Sequence, residues 1–279
     1  RLNNLLPAQF PNPAVVRDLD KISSENTRLI ANLGAEFRLA EGLTAKTSYS
    51  WDRRNTENIR FFNPFNGDGW SVSGDAYNNT ARSDNWNWIN TVQYNKVLAE
   101  KHNFSVIAGS DVQKTRVLNW GAQRQGLADF FFTDFQGNYG TNLAAGNGIF
   151  QVSYEAYFSS FSYSYANKYF LSANYRVDGN SALSSENRWG DFGGASLGWT
   201  VSEEKFFKNM NLGNKLSNLR LKASYGKVGN GNVPNAYGSY STFASGLYGA
   251  APTLAFNQAG NKDLKWETST QTNVGLDVS

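Results

Sequence analysis

At 279 residues the chain is long enough for one large all-β domain or two smaller ones, and a net charge of +3 gives no reason to expect a nucleic-acid partner. It has no cysteine, which excludes a disulfide framework and thiolate metal sites, and a single histidine, His102, which excludes His-based triads and multi-His metal centres. Mean hydropathy is −0.51 and no run approaches the ~18 apolar residues of a transmembrane helix.

Residues 1–26 hold three of the six prolines and show no sustained period, which predicts a loop. From 27 to 39 the chain alternates, with Leu29, Ala31, Leu33, Ala35, Phe37 and Leu39 on one face and Arg28, Asn32, Glu36 and Arg38 on the other. Period two is the signature of a strand with one apolar face. A tight turn at 40–42 leads to a second strand over 43–52. An Asn/Gly/Asp-rich loop over 53–82 leads to a strand over 83–97, and a short turn at 98–101 leads to another that ends near 117. A loop at 118–150 and a strand at 151–166 follow, then a tight turn at 166–168.

The clearest unit is 168–201. Tyr169, Leu171, Ala173, Tyr175 and Val177 alternate with Phe170, Ser172, Asn174, Arg176 and Asp178; after a polar loop at 179–187, Ala195, Leu197, Trp199 and Val201 alternate with small residues. A connector at 203–217, with a short helical turn starting at Ser202 or Glu203, leads to strands at 218–228 and 266–278, separated by a loop at 229–265.

The pattern therefore predicts an all-β chain of about nine strands whose short and long connections alternate. Transmembrane barrels sort their connections this way, with short turns on one side and long loops on the other. A soluble sandwich or propeller also alternates in hydropathy but has no reason to sort its loops. The aromatic content of 15% agrees. Trp51, Trp86, Trp189 and Trp266 fall at the outer strand ends, and Tyr163, Tyr165, Tyr169 and Trp199 at the other, as in the two interfacial girdles of such a barrel. An open sheet leaves edge N–H and C=O groups unpaired in lipid, so the chain is expected to be part of a larger antiparallel transmembrane β-barrel. Its start at Arg1 and its end in mid-pattern at Ser279 fit that expectation.

No enzyme signature emerges, and no cofactor site is expected. Glu203 and Glu204 are adjacent and read as a helix start, not as paired catalytic carboxylates. Gly229-Asn230-Gly231-Asn232 lacks the Lys-Ser/Thr of a phosphate loop. Asn66-Gly67-Asp68-Gly69 with Asp75 departs from EF-hand spacing, and His102 reads as a solvated turn residue.

Five blocks in order carry a family resemblance. They are Arg176, Asp178, Gly179 and Ser181 at a strand-ending turn; Asn187 to Gly190 (NRWG); Trp199, Ser202, Glu203, Glu204 and Phe206; Leu219 to Asn230 around Ser-Tyr-Gly; and Asn261 to Asp277 around DLKWET. The chain resembles the barrel of SusC/RagA-type TonB-dependent outer-membrane transporters, specifically over 151–279 and by barrel pattern alone over 1–150. Ser181-Ala182-Leu183 departs from the family's usual Ser-Arg-Phe.

The resemblance implies a barrel of about 22 strands with a plugged lumen, in the outer membrane of a Bacteroidota-like bacterium. It also implies a SusD-like lipoprotein lid, energy from the TonB system through a plug not recognisable in these residues, and oligosaccharide or peptide cargo. A passive porin-like barrel and a soluble carbohydrate-binding β-protein are the alternatives. Loop side chains suited to such cargo are Phe65, Asp68 and Trp70, then Trp120 and Tyr139, then Tyr237 and Tyr240. Lumen-facing Arg176, Arg220 and Lys222 could line a polar path or meet the plug.

Overall fold

A computed structural model describes residues 11–210, 216–233 and 235–279. The expectations for 1–10, 211–215 and 234 lie outside the described residues. Among the described residues there are eleven strands: β1 (Lys21–Ala40), β2 (Leu43–Phe62), β3 (Asp75–Leu98), β4 (His102–Leu127), β5 (Tyr139–Tyr165), β6 (Tyr169–Asn180), β7 (Trp189–Thr200), β8 (Leu219–Asn230), β9 (Thr242–Tyr248), β10 (Ala251–Gln258) and β11 (Glu267–Val278). Nine form one sheet in the order β1-β2-β3-β4-β5-β6-β7-β8-β11, and β9 and β10 make a separate antiparallel hairpin. The described residues also hold two short α-helices, α1 (Pro13–Leu19) and α2 (Lys205–Asn209), and 3-10 turns at Gly67–Val72 and Val201–Glu203.

The chain divides into two compact units. The first comprises Arg1–Ala31, Trp51–Asn85 and Thr115–Gln151; the second comprises Asn32–Ser50, Trp86–Lys114 and Val152–Ser279.

In the second unit, β6 and β7 pair Leu171 with Leu197 and Ser172 with Ser196, as the period-two pattern requires. β7 and β8 pair Leu197 with Ala223, and β8 and β11 pair Leu221 with Leu276 and Ala223 with Val274. These apolar residues share one face, yet Leu197 is 60% exposed and Val274 84% exposed. The opposite face carries Ser172, Asn174, Arg176, Ser196, Arg220, Lys222, Ser224 and Asp277. A water-soluble sheet buries its apolar face; this one presents it outward. Buried apolar clusters are small and include loop residues: Phe61, Ala76 and Tyr139 in the first unit, and Val152, Ala182 and Ala236 in the second.

Amphipathic rings bound the apolar face. Tyr169 stacks on Trp199 at one end, with centroids 6.5 Å apart, and Tyr157 stacks on Trp189 at the other, also at 6.5 Å. Trp199 pairs with Tyr169 and Trp189 with Gly179, so the rings are ten residues apart along β6. At about 3.3 Å per residue and a tilt near 40°, that is a band of about 25 Å, the height of the lipid-facing belt of an outer-membrane barrel.

The long connections are shorter than the sequence predicts. β2 runs to Phe62, β3 starts at Asp75, β4 runs to Leu127 and β5 starts at Tyr139. Much of the loops expected at 53–82 and 118–150 is therefore strand, and 21–26 belongs to β1. Beyond the apolar belt both faces meet water, so hydropathy loses its period while the backbone ladder continues. Thr56 donates to Asn26 (2.6 Å) and Arg28 pairs with Asp52 in this stretch. The loop expected over 229–265 contains the β9–β10 hairpin.

Trp266 also departs from its expected girdle place. Its indole N–H donates to the Arg188 carbonyl (3.0 Å) and its ring packs edge-on against Phe192, a residue of the polar face. His102 is not a solvated turn residue. It packs among Phe104, Tyr163 and Tyr165 and bonds the Tyr163 hydroxyl at 2.9 Å.

Candidate functional site

The polar face of the second unit is a lattice of short side chains with paired charges. The Ser172 and Ser196 hydroxyls lie 2.6 Å apart, and Asn273 donates to Ser224 (3.3 Å). Arg176 Nε donates to Asp178 (2.6 Å) while its Nη2 lies 3.6 Å from Asp111, and Lys222 pairs with Asp277. The Arg220 guanidinium lies 4.2 Å above the Phe170 ring, and a Cβ on Gly198 would come within 3.3 Å of it. Glycine there leaves the cation its place against the ring. Of the lumen-facing residues singled out in the sequence, Arg176 and Lys222 are tied into ion pairs and Arg220 into a ring contact.

The first unit carries a second polar system that the hydropathy pattern did not reveal. Arg28 grips Asp52 with two nitrogens at 2.8 and 2.6 Å, on the face opposite Trp51. Further along β2, the Arg60 guanidinium sits between the Phe62 and Tyr77 rings, 4.8 and 5.0 Å from their centroids. It donates to Asp75, which also accepts from Gln123 (2.5 Å) and Gln125 (3.0 Å) and is only 5% exposed. The signal in the sequence is the same-parity run Asp52, Arg54, Thr56, Asn58 and Arg60, polar throughout, which reads as loop when only apolar residues are counted.

The loop between β2 and β3 is pinned at its base. The Asp20 carboxylate accepts from the backbone N–H and side-chain amide of Asn63 (2.9 and 2.6 Å), and Asn63 Oδ1 accepts from the N–H groups of Phe65 and Asn66. That frame leaves Trp70 exposed, and Asp68 exposed within the 3-10 turn Gly67–Val72. It brings Phe65 edge-on to Phe130, centroids 5.5 Å apart. Tyr240 is exposed in the second unit, and the Tyr237 and Tyr240 carbonyls accept from Gln258. Tyr139 is a correction: it is 5% exposed in the Phe61–Ala76 cluster, its hydroxyl donating to the Thr133 carbonyl, so it presents no ring to a cargo. Trp120 lies in β4, not in a loop, and is 59% exposed.

Glu203 and Glu204 divide their roles. Glu203 pairs with Lys208, while Glu204 accepts from the Tyr169 hydroxyl (2.6 Å), the Trp199 indole (3.3 Å) and Lys168 (3.3 Å). The Tyr169 bond, with the Trp199 and Lys168 contacts, holds the Glu204 carboxyl below the usual carboxylate range against an opposing desolvation. A depressed folded value contributes stability above the unfolded value, about 4.3, and that stability is lost as pH falls through the folded one. Trp199 fluorescence in the refolded protein is therefore expected to stay constant from about pH 7 to 5 and to change only as pH falls below the ordinary carboxylate value. A transition centred at or above the ordinary value would contradict the clamp.

The profile of a family described as TonB dependent receptor-like, beta-barrel matches residues 3–279. The chain belongs to the TonB-dependent receptor barrel family. Among curated relatives, TonB-dependent receptor P39 of Formosa agariphila is 32% identical over 253 residues, covering 87% of this chain and 23% of that protein. TonB-dependent receptor SusC of Bacteroides thetaiotaomicron is 37% identical over 134 residues, covering 44% of this chain and 13% of that one. The solved structure of the RagAB peptide transporter superposes with a TM-score of 0.83 at 26% identity, over 95% of this chain and 29% of that chain. This receptor-barrel sequence thus spans about a quarter of the first curated relative's length. The exposed apolar face is the lipid face of a TonB-dependent receptor barrel, and the polar face is its lumen side.

Proposed function

We propose that this chain supplies part of the wall and outer loops of an outer-membrane importer energised through TonB. The observation that carries the reading is the two-faced sheet: an outward apolar belt about 25 Å tall between rings of Tyr and Trp, backed by a polar inner face. Cargo is an oligosaccharide or peptide. It is captured on loop surfaces offering exposed rings and amides, of which Phe65, Asp68, Trp70, Tyr237 and Tyr240 are the candidates here. A SusD-like lipoprotein covers the loops, and the plug rearranges inside the barrel when TonB pulls. Likeness to SusC and to the RagAB peptide transporter supports both partner and transport, and the latter favours peptide among cargoes.

The test is uptake by cells carrying the full-length receptor, using labelled oligosaccharide and peptide mixtures. Uptake is expected to stop when TonB is deleted or the proton-motive force is collapsed. Uptake that persists unchanged in both would instead mark a passive pore.

A further inference from the structure

On the lumen wall of the second unit, Arg220 lacks the carboxylate that its neighbours have. Arg176 is held by Asp178 and Asp111, and Lys222 by Asp277. Arg220 makes no hydrogen bond or ion pair among the described residues, and its Nε is buried without an acceptor. The Phe170 ring covers one flat face of the guanidinium. The N–H donors lie in the guanidinium plane, so a ring against the face leaves them open. A buried charged donor without an acceptor is destabilising. The fold keeps the cation here although it does not pair it.

Backbone register builds a hollow beside this cation. Gly198 stands between Phe170 on β6 and Lys222 on β8, and Gly275 on β11 faces Lys222 from the other side. Neither glycine fills the wall, and a Cβ at 198 would come within 3.3 Å of Arg220 Nη2 and 3.4 Å of Phe170 Cβ. The hollow has a volume of about 330 Å³ and is lined by Arg220, Lys222, Ser196, Ser224, Asn273 and Phe170. Among the described residues no carboxylate lines it. Lys222 is balanced by Asp277, so the hollow keeps the charge of Arg220, with two hydroxyls and an amide around it. The edge of a guanidinium matches the two oxygens of a carboxylate. Arg220 pairs with Thr200, one residue from the Trp199 girdle, at the end where the chain turns tightly over 166–168. That is the periplasmic end of such a barrel, which cargo passes as it leaves the lumen.

We propose that this hollow binds the carboxylate of a peptide cargo on its way out of the barrel, with both oxygens on Arg220 and the adjoining peptide group on Ser196, Ser224 and Asn273. A peptide carries the anion and the amides that this set of groups matches; a neutral sugar has no charge for Arg220. The inference deepens the transport reading above and rests on it.

The test is uptake, by cells carrying the full-length receptor, of three labelled compounds: a peptide whose one carboxylate is its C-terminus, the same peptide amidated, and an oligosaccharide bearing a uronic acid. Wild type is expected to take up the free acid about tenfold faster than the amide, the size of one charge-assisted pair. Arg220→Gln is expected to bring the free acid down to the rate of the amide. Arg220→Lys, which keeps the charge without the fork, is expected to retain part of the preference. Equal uptake of acid and amide by wild type, or an undiminished preference in Arg220→Gln, would overturn the proposal. So would an Arg220→Gln variant that slows both peptides alike, which marks Arg220 as a contact of the wall or the plug. An Arg220-dependent preference for the acidic saccharide over the free-acid peptide would overturn it as well. TonB dependence is scored separately: uptake of both peptides that persists without TonB overturns the transport reading, whereas loss of the acid preference alone overturns this site.

Discussion

Leu197→Arg is expected to cost about 1–2 kcal/mol in refolding from denaturant into lipid, because Leu197 lies two residues inside the Trp199 girdle, between the middle of the lipid face, where a cation costs about 2–4 kcal/mol, and its edge, where it costs about 0–1. Leu197 pairs with Leu171 on one side and Ala223 on the other, and its side chain is exposed on the face bounded by the two aromatic pairs. Hydrocarbon itself offers an arginine there no hydrogen-bond partner. Ser196→Arg, one residue away, points to the lumen beside Ser172 and Ser224 and meets water or polar side chains. It is expected to cost far less. Equal costs for the two substitutions, measured by the same refolding titration, would refute the facing assignment.

The second large effect is expected at Leu183, which is 0% exposed although it lies in an outer loop. The loop between β6 and β7 is bound to the long loop between β8 and β11 through several bonds. The Asn180 amide donates to the Gly231 carbonyl (2.7 Å), Ser184 donates through its hydroxyl and N–H to the Leu264 carbonyl, and Trp266 donates to the Arg188 carbonyl. A Cβ on Gly231 would lie 2.5 Å from the Trp266 ring, so the two ends of the long loop approach as closely as glycine allows. Leu183→Ala opens a cavity at a fully buried site, at a cost of about 2–5 kcal/mol. Because the strands below are held by their own ladders, the loss is expected locally, as faster proteolysis between residues 235 and 260 with the barrel still folded. Cleavage at the wild-type rate would show that the loops are held by something else.

Ser181-Ala182-Leu183, where the sequence departs from the family's usual turn, is therefore the segment the loops close over. Its composition could be read in the sequence, but its burial could not: nothing local distinguishes a buried leucine in a polar loop from an exposed one. The wall was more legible. The alternation in β6 and β7 gave both faces residue by residue, because one face of those strands meets hydrocarbon and must be apolar.

The same logic explains where legibility ended. In 53–62 and 118–127 both faces meet water, so no hydropathic period marks the strands, and what holds them is ladder bonding and pairs such as Arg60–Asp75. The β9–β10 hairpin is hidden by Gly249, Ala250, Ala251 and Pro252 around its turn, although Phe243 and Phe256 meet edge-on across it. Residue type points to a binding ring at Tyr139, and strand-end position in phase with the apolar face points to a girdle ring at Trp266. Which surface a ring chooses is set by partners distant in sequence: Phe61 and Ala76 for Tyr139, Arg188 and Phe192 for Trp266.

The most direct measurement of the central claim uses the absence of cysteine from this sequence. Single variants Leu197→Cys and Ser196→Cys of the full-length receptor, with any cysteine elsewhere removed, would be labelled with an environment-sensitive fluorophore and placed in lipid bilayers. The fluorophore at position 197 is expected to be quenched by a lipid-borne quencher and protected from an aqueous one, and the one at position 196 the reverse. The same quenching pattern at both positions would contradict a wall with one face in lipid and the other on the lumen.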